Sequence, residues 1–299
     1  MEFLFKFRWM APIGLLLWAL VPASPFAQES PHPGNFNLTP RQRAETFLYR
    51  KEYEKAVEAF QTLLEKGGGE SPVFRGLVRA YRGSGRLQEA EKFLKEYLRV
   101  HPASSPAHYG LGYSFYLMEN DSAAMEQFDE ALRLDPKNAL AWNNRGASLA
   151  RTKSYTFAVK SVKEAIRLEP SNPMYYKNLL AIYQKMGEPG LFFAEFREYV
   201  KGGSRLLAQG YGKTLAVTLR QEAFGLYAKG KLDASIAKFS EMVKIYREIE
   251  YTQGLVPGYF GLGILFEEKG DQEKAQDYFR KVLSINPNHI QAREKVKNN

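Results

Sequence analysis

The side chains suited to acid–base or metal chemistry are few: four histidines and no cysteine in 299 residues. Without cysteine there is no disulfide, thiolate nucleophile, Cys-ligated zinc or acylated lipoprotein cysteine. His101 and His108 are close in sequence, but Pro102 and Pro106 lie between them, so they do not share one helix face. His32 sits among prolines and His289 beside a late turn. Gly210-Tyr211-Gly212-Lys213-Thr214 resembles the tail of a phosphate loop. The full motif needs a glycine at 207, where Leu207 stands, and a preceding strand, which the pattern does not offer. Glu54 and Glu58 with Lys55, and Glu267 and Glu268 with Lys269, read as solvated helix faces. No catalytic set, metal site or cofactor is implied, and an enzyme on this frame is the least favoured reading.

The elements that carry these residues are those of a folded chain, with 44% hydrophobic and 25% charged residues. Lys6 and Arg8 precede the apolar run Ala11–Val21, the pattern of a secretory signal spanning residues 1–27. Cleavage fits after Ala27 or after Ala23. The alternative is an uncleaved anchor over Trp9–Ala27, for which Pro12, Pro22 and Pro25 make a poor helix. Residues 28–38, with Pro31, Pro33 and Gly34, read as a flexible linker. No later segment resembles a membrane span. The expected location is therefore the periplasm or another extracytoplasmic space, with nucleic acid excluded as a partner. The net charge of +9 favours anionic partners without naming one.

The period of the chain is its most informative feature. Pro102, Pro136 and Pro170 are 34 residues apart, as are Ala90, Ala124 and Ala158. Tyr81, Phe115, Leu149 and Tyr183 form a third column, Phe74, His108, Trp142 and Tyr176 a fourth, and Gly112 and Gly146 a fifth. Several columns sharing one period mean a repeat array. Within 139–170, Trp142, Gly146 and Leu149 share one helix face, and Ala158, Val162 and Ala165 another. Thr152–Ser154 breaks them and Pro170 ends the second, giving an αα-hairpin. Small residues let the two axes approach, and large ones fill the space to the next hairpin.

These columns resemble the tetratricopeptide repeat family. Residues 256–289 fit its motif best, with Tyr259, Leu262, Gly263, Phe266, Ala275, Phe279 and Pro287. Residues 105–138 and 139–172 follow closely, and in 71–104 Val78 replaces the small glycine. Units at 37–70, 173–206 and 216–249 are weaker. In the second of these, Phe192 stands where a small residue belongs, which suggests a displaced helix. The resemblance implies an all-α, right-handed α-solenoid of about seven antiparallel helix pairs. Ala158 to Ala275 spans three periods plus 15 residues, about nine of them near 207–215 and about six after Glu250. The expected organisation is one block of about five pairs at 39–206, an irregular connector at 207–213, a second block of two pairs at 214–289 and a C-terminal cap at 290–299. The connector is expected to be the weakest point.

In this family the first helices form an inner wall along which partner peptides lie. Projected on that basis, the wall carries Arg75, Arg79 and Arg82, then Tyr109, Tyr113 and Tyr116, then Asn143, Asn144 and Arg151, then Lys177, Asn178 and Lys185. Arginine pairs with carboxylates, asparagine bonds extended backbone, and tyrosine offers rigid apolar area. Asn144 and Asn178 match one position of the subtype that clamps a C-terminal carboxylate. Gly110 and Ala147 stand where that clamp needs asparagine. The resemblance thus implies a non-catalytic scaffold of the cell envelope binding a protein or peptide partner, acidic in character. The alternative is a component of a polysaccharide-secretion machine binding an anionic glycan. Oligomeric state is left open.

Overall fold

A computed structural model describes residues 38–297, and the expected signal and nearly all of the expected linker lie outside them. The described residues form fifteen α-helices and no strand. They run α1 (Pro40–Tyr49), α2 (Tyr53–Glu65), α3 (Ser71–Gly83), α4 (Leu87–Val100), α5 (Ser105–Leu117), α6 (Asp121–Leu134), α7 (Ala139–Arg151) and α8 (Tyr155–Leu168). There follow α9 (Pro173–Met186), α10 (Gly190–Lys201), α11 (Arg205–Ala228), α12 (Leu232–Glu248), α13 (Thr252–Lys269), α14 (Gln272–Ile285) and α15 (Ile290–Lys297). They make seven helix pairs and a terminal helix, as the repeat columns predict. The chain divides into two compact units, one ending at Glu195 and the other beginning at Phe196, within α10.

Sequence punctuation explains the helix ends. Ser104, Asn120, Asn138, Asn172 and Asp271 cap the helices that follow them by accepting from backbone N–H groups. Pro102, Pro136, Pro170 and Pro287 each stand two residues past a helix. A residue before proline is pushed out of the helical region, so the helix stops there. These prolines also anchor the next unit. Six residues on, Trp142 Nε1 donates to the Pro136 carbonyl at 2.9 Å, and Tyr176 hydroxyl donates to that of Pro170 at 2.7 Å. His108 Nε2 meets the Pro102 carbonyl at 3.0 Å, and Arg293 Nε donates to the Pro287 carbonyl at 2.6 Å. The column of large residues is therefore also a polar latch.

The small columns do what close axes require. A Cβ on Gly146 would fall 2.6 Å from Val162 Cγ2 and 3.0 Å from the Ala158 carbonyl oxygen. One on Gly112 would strike the Phe128 ring at 2.7 Å, and one on Gly263 the Phe279 ring at 2.5 Å. Ala90, Ala124, Ala158 and Ala275 are fully buried opposite them.

The expected irregular connector at 207–213 is corrected: these residues are helical and belong to the first turns of α11. Ala208, Tyr211 and Gly212 are buried, so the stretch carries its own apolar face. Gly212 packs against Ile249 and Phe196, where a Cβ would meet atoms 2.8–3.0 Å away. Glycine here serves close packing, and no phosphate loop forms. The extra residues lengthen helices: α11 has 24 residues, α12 has 17 and α13 has 18, against 13 or 14 in α3 through α9. Phe192 is fully buried within α10, which forms over 12 residues.

Candidate functional site

The expected inner wall lies on α3, α5, α7 and α9, all within the first unit. Those helices converge at their N-terminal ends. Asn138 Nδ2 donates to Ser71 Oγ at 3.0 Å and to Ser105 Oγ at 3.1 Å, joining the starts of α3, α5 and α7. One turn along, Arg75 Nη2 on α3 meets Met174 Sδ on α9 at 3.0 Å. The channel between these helices is thus closed at one end.

That closure corrects part of the projected wall. Tyr109 and Asn143 are fully buried and Asn144 is 6% exposed, so a partner cannot reach them in this conformation. They form an internal polar ladder instead. Asn178 Nδ2 donates to Asn143 Oδ1 at 2.8 Å, and Asn143 Nδ2 to Asn144 Oδ1 at 2.8 Å. Asn144 Nδ2 reaches the Tyr109 hydroxyl at 3.4 Å. Burial pushes the Tyr109 hydroxyl well above the usual phenol range, opposed by the nearby charges of Arg75 and Arg79. Buried polar groups stay stable only when bonded, and this ladder bonds one helix to the next. The sequence shows no register of it, because asparagines on adjacent helices look the same whether they face a partner or each other.

Tyr113 and Tyr116 continue the row and are half-buried. The rings of Tyr109 and Tyr113 stack at 6.2 Å, and those of Tyr113 and Tyr116 at 6.4 Å. Arg151 is structural. Its guanidinium lies 4.3 Å from the Tyr116 ring centre, bonds both oxygens of Asp121 at 2.6 Å, and donates to the Tyr116 carbonyl at 2.8 Å. The Asp121 bond holds its charge more firmly than usual.

Arg79, Arg82, Lys177 and Lys185 are exposed, and Arg75 and Asn178 are half-buried. The five cations among them have no carboxylate partner among the described residues. On the second helices, Arg99, Arg133 and Arg167 each pair with a glutamate three residues earlier, at 2.8, 2.6 and 2.6 Å. Arg75 Nε is in addition buried without a hydrogen-bond partner. A donor left in that state costs about 1–3 kcal/mol. Among the described residues no cluster of three or more His, Asp or Glu is placed to hold a metal. No described helix is long and apolar enough to cross a membrane.

No curated protein matches the chain. Among solved structures it is similar to the C-terminal part of a TPR repeat-containing protein from Cytophaga hutchinsonii, at 14% identity and a TM-score of 0.41, covering 86% of this chain and 99% of that one. It is similar to the APC/C hetero-tetramer Cut9–Hcn1 at 16% identity and a TM-score of 0.44, covering 89% of this chain and 49% of that one. It is also similar to YrrB, described as a TPR protein with an unusual peptide-binding site, at 18% identity and a TM-score of 0.34, covering 81% of this chain and all of that one. One tetratricopeptide repeat model matches residues 41–102, 75–139 and 122–173, and a second matches 256–289. With the helix pairs, the small columns and the closing prolines where that motif requires them, the chain belongs to the tetratricopeptide repeat family.

Proposed function

We propose that this protein is a non-catalytic interaction scaffold whose first unit takes an extended acidic segment of a protein partner along the open part of the α3–α9 channel. The observation that carries this reading is the contrast in charge pairing. Arg99, Arg133 and Arg167 on the second helices α4, α6 and α8 are paired with neighbouring glutamates, whereas Arg75, Arg79, Arg82, Lys177 and Lys185 on α3 and α9 have no carboxylate partner among the described residues. The exposed Arg79, Arg82, Lys177 and Lys185 would steer the encounter and pair with partner carboxylates. Asn178 stands at the edge of the buried ladder, where its half-exposed amide can bond a peptide backbone. The signal-like residues 1–27 support action outside the cytoplasm, within an envelope assembly.

An anionic glycan fits less well. Sugars need a free aromatic face, and the Tyr116 ring is already engaged by Tyr113 and Arg151. The reading is tested by fluorescence anisotropy with a labelled peptide of alternating glutamate and alanine. The expected result is saturable binding that weakens with salt. It should fall at least ~10-fold in Arg79→Glu/Lys177→Glu and stay unchanged in Arg133→Glu, because a lost charge-assisted contact is worth about 1.5–3 kcal/mol. Equal loss in both variants would mean unspecific attraction to a basic protein. Retention of purified polyuronate but not peptide would establish the glycan instead.

A further inference from the structure

The second unit contains a pocket that the repeat pattern does not require. The two phase slips in the sequence, near 207–215 and after Glu250, become extra turns at the start of α11, the end of α12 and the start of α13. In consecutive antiparallel helices these three ends lie on the same side, so the insertions are matched and build one projection. At its base is a cavity of about 150 Å³.

Its walls are apolar and aromatic, with Val217 and Phe224 from α11, Phe239, Met242 and Tyr246 from α12, and Pro257 from α13. Gly254 and Gly258 complete the α13 side. A Cβ on Gly254 would fall 2.7–2.8 Å from the rings of Tyr251 and Tyr246, and one on Gly258 2.8 Å from Val243 Cγ2. Glycine at both positions brings α13 close enough to shape the cavity. Pro257 has no N–H, so the Gln253 carbonyl lacks its usual helical donor, and Gln253 also lines the cavity.

Two cations line this pocket, and no carboxylate does. Lys213 Nζ lies 4.3 Å from the Tyr251 ring centre, and its partial burial lowers its proton affinity, which a bound anion would restore. Arg220 is half-buried and its charge acts on Tyr246. Neither has an acidic partner among the described residues. A pocket that is apolar inside and cationic beside it suits a ligand with the opposite arrangement: one apolar group and one anionic head. The volume sets the apolar part, since an apolar cavity of about 150 Å³ accommodates benzene.

We infer that the second unit binds an apolar monocarboxylate, with a group the size of one phenylalanine or leucine side chain in the α11–α12–α13 pocket and its carboxylate on Lys213 and Arg220. The carboxylate can belong to a free small acid or to the C-terminal residue of a peptide.

The test is isothermal titration of the full chain with 3-phenylpropionate, with its neutral amide, and with a peptide ending in Gly-Phe, free or amidated. The expected result is saturable binding of the acids, at least tenfold tighter than of the neutral forms. Lys213→Gln should weaken it about tenfold, and Val217→Phe, which fills the cavity, should abolish it, with folding of both checked by circular dichroism. Free acid bound as tightly as peptide identifies a small-molecule ligand. Peptide bound at least tenfold more tightly identifies a C-terminal tail. Equal binding of acid and amide, no binding at millimolar concentration, or binding unchanged by both substitutions would overturn the inference. Arg79→Glu/Lys177→Glu leaves this pocket intact, so failure here and failure of the α3–α9 channel are separately visible.

Discussion

Replacing Asn143 by alanine should destabilise the first unit and leave its affinity for an acidic peptide intact. The side chain is fully buried and makes two hydrogen bonds, accepting from Asn178 at 2.8 Å and donating to Asn144 at 2.8 Å. Each bond is worth about 1 kcal/mol net. The stranded Asn144 oxygen is the larger cost, about 1–3 kcal/mol, because it stays buried. The Asn178 amide is half-exposed and can turn to water at little cost. The sum is about 2–4 kcal/mol, a large share of the ~5–15 kcal/mol by which proteins of this kind are stable. Urea unfolding followed by fluorescence reports it, since Trp142 lies beside the substituted residue on α7. Peptide anisotropy on the folded variant supplies the second reading. A loss below about 0.5 kcal/mol, or a tenfold loss of affinity at unchanged stability, would refute the assignment of Asn143 to an internal ladder. Arg79→Glu should behave in the opposite way, since Arg79 is exposed and unpaired.

The polar latch and the terminal helix make further claims. Tyr176→Phe keeps the ring and removes the donor to the Pro170 carbonyl, so it should cost about 1 kcal/mol by thermal or urea unfolding. His289 accepts from the Ala292 N–H at 3.2 Å at the start of α15 and lies 4.9 Å from the Phe260 ring centre. Burial lowers its pKa below the ordinary 6.5, so the folded state binds fewer protons than the unfolded state in that range. The stability it contributes is complete above about pH 6.5 and is lost as pH falls through the lower folded value. Protection of the 290–297 amides, corrected for the intrinsic pH dependence of exchange, should fall between pH 7.5 and pH 5, and His289→Gln should flatten that dependence.

The arrangement of the inner wall shows where inference from the chain alone ends. The projection put Tyr109, Tyr113, Asn143 and Asn144 on the faces of first helices that turn toward the channel, and those helices do meet there. Whether the channel is open depends on how far each pair rotates against the last. That rotation brings Met174 to Arg75, across nearly a hundred residues, and closes the end where Tyr109 lies. Exposure then separates one set of projected residues into a buried ladder, a structural arginine at 151 and a row of unpaired cations. Stretch 207–213 failed for a related reason. Glycines at 210 and 212 suggest a break when read locally, but Phe196 and Ile249 press on Gly212 and reward the helix.

What the sequence determined by itself was therefore the periodic part: the family, the seven pairs, the closing prolines and the small columns. Each of these rests on local geometry, where a missing Cβ or a missing N–H acts within one hairpin or on its neighbour. The tertiary structure alone decided which of the projected wall residues are exposed and which are buried, and that residues from two separate insertions line a single pocket. Both depend on contacts between residues far apart in the chain, which no single period records.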